Sequence, residues 1–218
     1  MSDALDRLNS PGADLLGRVD AVLTAQGLPA DHPATELLRR LGALPSDLLE
    51  AVSTWRSDPL RDTAADLHRT AEAYEQQRDQ LGTPTGWEGA AGAGFEAQRQ
   101  SVVRFLGETG DPDETSLLGR LRATAAYLED VAEWLDRSRR AMARAVADAL
   151  GSAEAVRLHT SGDAVAAATL AARILTAAAE VDSCGSAVVQ RWAGRLDEVP
   201  YRPPAPTASP AVQARLPL

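Results

Sequence analysis

From Leu117 to Ala149 apolar residues recur at alternating steps of four and three: Leu117, Leu121, Leu128, Val131, Leu135, Met142, Ala145 and Ala149. Thr124 and Ser138 are the only polar members of the series, and Gly151 ends it. A helix puts side chains at this spacing on a single stripe, whereas a strand needs alternation in twos. The segment is therefore one long helix, and so narrow a stripe must be covered by other helices. The remaining residues suit that role. Alanine and leucine dominate, only 4% of residues are aromatic, and Ala, Leu, Arg, Glu and Gln are all strong helix formers. The expected fold class is all-α.

The same reading places the other elements. Residues 1–45 read as two or three short helices, punctuated by Ser10-Pro11-Gly12, Gly27-Leu28-Pro29, Asp31-His32-Pro33 and Gly42. A helix carrying Leu48, Leu49, Val52 and Trp55 begins near Ser46, and Asp58-Pro59 reads as an N-cap with proline at the first helical position. From there Leu60, Ala64, Leu67, Ala71, Tyr74 and Leu81 form a second coiled-coil-like seam, broken only at Arg78. Gly82 and Pro84 stop this helix, and the next carries Phe95, Val102, Val103, Phe105 and Leu106 up to the break at "GETGDPDETS". A last helix starts near Ser161 to Asp163, with Leu170, Ile174, Ala177, Val181, Cys184 and Val188 on one stripe. The expected segments are 1–45, 46–150 as a helical hairpin region, 151–197 as an additional C-terminal helix, and a proline-rich disordered tail at 198–218.

Charge and residue usage exclude several functions. All 22 basic residues are arginine, which with the alanine excess reads as GC-rich coding. A net charge of -9 without a polybasic run argues against nucleic acid and against anionic membranes as partners. The first twenty residues lack the basic and apolar regions of a Sec signal peptide, and no apolar run reads as long enough to insert in a membrane. A cytoplasmic site of synthesis follows. With Cys184 as the single cysteine there is no intramolecular disulfide and no cysteine-based zinc site, and its place on an apolar stripe reads as a small buried hydrophobe.

No enzyme pattern emerges, and no cofactor is expected. None of His32, His68 or His159 has glutamate three residues before it, and no His-Glu-x-x-His occurs. "GAAGAG" (89–94) has neither the glycine order, the preceding strand nor the lysine of a phosphate loop. Arg137, Arg139, Arg140 and Arg144 lie near Asp130, Glu133 and Asp136, as helix-surface ion pairs would.

One stretch carries a further signal. In "LGTPTGWEGAAGAGF" (81–95), Trp87-Glu88-Gly89 joins two helices with apolar seams, and Ala90, Ala91 and Ala93 lead to Phe95. Small residues after a turn let helices approach closely, and a tryptophan there can cap their shared seam. The stretch and its flanks resemble the WxG helical-hairpin family of type VII (ESX) secretion, as an enlarged member of actinobacterial type. The resemblance covers roughly residues 48–150. It implies an elongated antiparallel bundle built on a helical hairpin with a Trp-x-Gly turn, its seam formed by Leu60, Leu67, Tyr74 and Leu81. It also implies a non-enzymatic protein working by helix–helix contact, with Trp87, Gly89 and Phe95 at the partner-binding turn. The partner would be a second Trp-x-Gly protein or a second copy of this chain. Members are exported by, or serve, a type VII secretion system, whose signal places an acid four residues after tyrosine. Tyr74 is followed at that distance by Arg78, Tyr127 by Val131 and Tyr201 by Ala205, so a partner would have to supply the signal. A self-assembling secreted structural or targeting module stands as the alternative, and a toxin or enzyme with a dispersed site as a more distant one.

Overall fold

The computed structural model describes residues 3–29, 31–82, 89–108 and 115–196. The described residues form eight helices and no strand, so the fold is all-α. In chain order these are α1 (Ala4–Gln26), α2 (Ala34–Leu41), α3 (Pro45–Thr54), α4 (Asp58–Asp79), α5 (Gly89–Leu106), α6 (Leu117–Leu150), α7 (Ala153–Ser161) and α8 (Ala164–Trp192). They fall into two compact units. Unit 1 draws on Met1–Arg61 and Glu129–Arg191, and unit 2 on Asp62–Leu128 and Trp192–Leu218. Compactness thus divides the chain differently from the four consecutive segments expected, since each unit takes stretches from distant parts of the sequence.

Helix α1 departs from expectation. It runs through Ser10-Pro11-Gly12 without a break. Proline inside a helix loses one hydrogen bond, here to the carbonyl of Arg7. Both Pro11 and Arg7 are exposed, so water can take that role. Gly12 lies on the opposite, buried side, where a Cβ would come within 2.8 Å of Val146 Cγ1 and 3.1 Å of Leu49 Cδ2. With Leu5, Leu16, Val19 and Leu23 it forms the buried stripe that carries the helix across the proline. The start is fixed by reciprocal capping: Asp6 N–H donates to Asp3 Oδ1 at 2.9 Å and Asp3 N–H to Asp6 Oδ2 at 3.1 Å.

The core of unit 1 gathers these α1 residues with Leu49 and Val52 of α3, Met142 and Val146 of α6, Leu158 of α7, and Leu170, Ile174 and Leu175 of α8. Helices α6 and α8 run antiparallel within it. Trp134 Nε1 donates to the Val181 carbonyl at 3.0 Å, Arg173 to the Asp148 carbonyl at 2.9 Å, and Arg191 to Asp130 at 3.0 Å. The expectation of no membrane-length apolar run needs correction. By length and composition α8 could cross a bilayer, yet 56% of its most apolar window is buried in the fold, as befits a core helix. Residues 151–197 also hold two helices rather than one, with Ser152 Oγ capping α7 at the Ala155 N–H and Gly162 ending it at φ +63.

Arg139 overturns the surface-pair reading for that residue. It is buried, and its guanidinium joins the start of α1 to the end of α3. Nε and Nη2 donate to Asp3 at 2.7 and 2.9 Å, and Nη2 to Asp6 at 2.6 Å. Nη1 donates to the carbonyls of Val52, Ser53 and Trp55 at 3.1, 2.8 and 3.2 Å. A cation at the carbonyl end of α3 is also what its dipole favours. The hydrogen bond from Arg139 outweighs burial and holds the Asp3 carboxyl down to about 2.

Among the described residues, most of the side chains that unit 2 buries are small. Helix α4 buries Ala64, Ala71 and Arg78, seven residues apart, while α6 contributes Leu118, Ala123 and Ala125. Ser116 caps α6, its Oγ accepting the Gly119 N–H at 3.1 Å; most of the expected break at "GETGDPDETS", residues 109–114, lies outside the described residues. Trp192 packs edge-on against Tyr127 at 5.9 Å, and Arg195 sits over its ring at 4.5 Å. The proline-rich tail at 198–218 also lies outside the described residues.

Candidate interaction surface

The junction between α4 and α5 holds most of the residues singled out in the sequence. Trp87 lies outside the described residues. Gly89 opens α5 at φ +70, in the left-handed region where glycine is preferred, and no described atom comes within 4 Å of where its Cβ would stand. On the two helices large apolar side chains are partly exposed: Tyr74 is 39% exposed, Leu81 38% and Phe95 42%.

The expected seam is therefore displaced. Leu60 and Leu67 are only half-buried and Tyr74 and Leu81 face solvent, while the neighbouring line Ala64, Ala71 and Arg78 is the buried one. Arg78 explains the shift. Its aliphatic stem fills a core position while Nη1 donates to the carbonyls of Gly107 and Glu108 at 2.9 and 3.2 Å, just past the end of α5. Nη2 donates to Asp79 at 2.8 Å and Glu75 at 3.4 Å, and Glu75 also accepts from Arg122 at 2.7 Å. Reading an arginine as a break in the seam missed the best-satisfied side chain on α4.

Arg99 makes a further link between these helices, Nη1 donating to the Leu81 carbonyl at 3.4 Å. These hydrogen bonds from Arg78 and Arg99 involve the second half of α5 or the residues after it. The first turns of α5 remain open, with Gly89, Ala90, Ala91 and Ala93 exposed. Glu96 anchors Arg99 in turn; the hydrogen bonds from Arg99 and then Gln100 hold its carboxyl down to about 2. An open depression of about 550 Å³ runs along α4 past Asp66, Arg69, Thr70, Ala73, Tyr74 and Gln77. Its lining mixes Tyr74 and Ala73 with polar and charged side chains, and Arg69 pairs with Asp66.

The remaining candidates fall elsewhere. His32 Nδ1 accepts the Ala34 N–H at 3.2 Å, and His159 Nδ1 lies 2.7 Å from Arg18 Nη1. Among the described residues no group of three or more His, Cys, Asp or Glu side chains is placed to hold a metal ion. Cys184 is exposed, which corrects the buried reading. Gly185 takes the inward place instead, because the Trp134 indole occupies the space a side chain would need, 2.7 Å from a Cβ there. The stripe at the end of α8 thus runs Val181, Gly185, Val188 and Trp192, a one-residue slip that a glycine hides from any hydrophobic pattern.

Comparison of the chain with protein-family models, with curated proteins and with solved structures finds no match.

Proposed function

We propose that the protein is a non-enzymatic helical binding protein associated with type VII secretion, engaging a partner helix through the α4–α5 junction. The observation that carries the reading is the set Tyr74, Leu81 and Phe95, large apolar side chains left exposed on either side of the Trp-x-Gly stretch. Exposed large apolar residues can serve as anchors of protein-binding surfaces, and aromatic residues supply much of the energy there. The open first turns of α5, faced with alanine and glycine, let a partner helix approach closely. The partner in this reading is a second Trp-x-Gly protein or another copy of this chain. The complex would work in the cytoplasm or after export by the secretion system.

Co-expression with a small Trp-x-Gly protein, followed by co-purification and measured affinity, tests the proposal. Trp87→Ala and Phe95→Ala should each weaken the complex by about 2 kcal/mol, near thirtyfold, while the unfolding midpoint of the free chain stays in place. Unchanged affinity in both variants would remove the junction from the interface. Loss of self-association alone, in a chain that ignores other Trp-x-Gly proteins, would instead favour the self-assembling module.

A further inference from the structure

A second surface, within unit 1, has a different chemistry. Between α6 and α8 runs an open groove of about 540 Å³. Its floor is apolar: Trp134 and Ala141 from α6, Val181 and Val188 from α8. The Trp134 indole is fixed there by its bond to the Val181 carbonyl, by Gly185 beneath it, and by Trp55 at 5.0 Å. The rim is cationic, with Arg137, Arg140 and Arg144 on one side and Arg191 on the other; Glu180 is the one carboxylate in the lining.

Two of these cations are already engaged, Arg137 with Glu133 at 3.5 Å and Arg191 with Asp130 at 3.0 Å. Arg140 and Arg144 are exposed and make no hydrogen bond or salt bridge among the described residues, although the Arg140 charge is felt at Asp136. Four guanidinium groups facing one carboxylate stand out in a chain of net charge -9. The α6 residues recur at three- and four-residue steps from Trp134 to Arg144, a run of roughly 15 Å, or about three helical turns.

We propose that this groove binds an acidic amphipathic helix of a partner protein. Apolar residues at i, i+3/i+4 and i+7 of that helix would rest on Trp134, Val181 and Val188, and carboxylates on its flank would pair with Arg140 and Arg144. Helix-in-groove recognition reads such anchors, and opposite charge at the rim sets register and partner choice. The occupant is a protein helix because the cationic surface is short and has an apolar floor. A nucleic acid or a bilayer needs an extended basic face, and the net charge of the chain repels both. This site is separate from the α4–α5 junction and does not depend on the function proposed for it.

The groove contains its own reporter, since Cys184, the only cysteine, lies in its lining. The probe is a fluorescent synthetic helix of about five turns with a leucine stripe flanked by glutamates, compared with a twin carrying lysine in place of glutamate. The glutamate peptide should bind and slow maleimide labelling of Cys184 about tenfold or more at saturation, and the lysine twin should do neither. Arg140→Glu combined with Arg144→Glu should weaken peptide binding at least about tenfold without moving the unfolding midpoint, because both side chains are exposed. Trp87→Ala should bind the peptide as the parent chain does, which separates this test from the previous one. Equal binding of both peptides, unprotected Cys184, or an unaffected double variant would overturn the proposal. So would capture by phosphatidylglycerol vesicles in preference to the peptide, or a homodimer that itself shields Cys184.

Discussion

Unit 1 closes around large aliphatic side chains from α1, α3, α6, α7 and α8, whereas among the described residues unit 2 buries mainly alanine, two leucines, Trp192 and one arginine. The hydrophobic core cluster lies wholly in unit 1. Unit 2, by contrast, holds Tyr74, Leu81 and Phe95 at its surface. Burial of apolar area is the main favourable term in folding, and among the described residues unit 1 buries the larger side chains. A unit with little large apolar burial and exposed aromatics is one that a partner can finish, and this asymmetry gives the α4–α5 proposal its physical sense.

Each unit contains a buried arginine, which makes the comparison testable. Arg139→Met should cost about 3–5 kcal/mol in urea unfolding, since three carbonyls at the end of α3 and just past it lose their donor, and Asp3 and Asp6 lose their shared cation. Arg78→Met should cost less, about 1–3 kcal/mol, because two carbonyls lose their donor while Asp79 and Glu75 reach solvent. If the order were reversed, unit 2 would be the more tightly specified part. Acid sharpens the same point. The depressed Asp3 carboxyl contributes stability that is fully present above its ordinary value of 3.8 and is lost as pH falls through about 2. In Arg139→Met that acid-sensitive share should shrink to what the Asp6 N–H still supports at Asp3.

Next in size is the contact beneath Trp134. Gly185→Val should cost about 1–3 kcal/mol by pushing the indole off α8, and the change in tryptophan fluorescence reports it directly. A glycine in unit 2 makes the contrast: Gly89→Ala has open space around it and should cost about 1 kcal/mol through its positive φ alone. Equal costs with unmoved fluorescence would mean that Gly185 is not a packing position.

Asp20 offers a smaller effect of opposite sign. It is buried in unit 1, Oδ2 accepts the Ser46 N–H at 3.2 Å, and Oδ1 has no hydrogen-bond partner. Burial raises its pKa above the ordinary value, so the folded state tolerates the charge less well than the unfolded chain does. Asp20→Asn should therefore gain about 0.5–1 kcal/mol at neutral pH, and the gain should shrink to nothing below about pH 4. Urea titrations at both pH values measure it, and a loss at neutral pH would show that the carboxylate is needed at the start of α3.

These residues also mark what was legible in the sequence. The long stripe of α6 and the starts of α3, α4 and α8 follow from local spacing and turn chemistry, to within a residue or two. The unbroken α1 was not legible, because Pro11 and Gly12 read locally as a stop and only the distant Val146 and Leu49 show why the chain stays helical there. Arg139 and Arg78 were missed for a related reason. A buried arginine depends on carbonyls and carboxylates far away in sequence, and no periodicity encodes them. The groove between α6 and α8 needed the Gly185 slip, which turned Cys184 outward. The candidate junction was visible as a motif, but which of its apolar residues stay uncovered was not.

The smallest predicted effect bears most directly on the comparison. Phe95→Ala should change the stability of the free chain by no more than about 0.5 kcal/mol, since the ring is 42% exposed. An equivalent truncation in unit 1, Ile174→Ala, should cost about 2–5 kcal/mol because that side chain is fully enclosed. Urea unfolding of the two variants beside the parent measures the gap. A large loss for Phe95→Ala would place it in a core that unit 2 supplies to itself, and the exposed strip would cease to be a docking surface. A near-zero loss, joined to a weakened complex, makes Phe95 an anchor that has been kept for another chain.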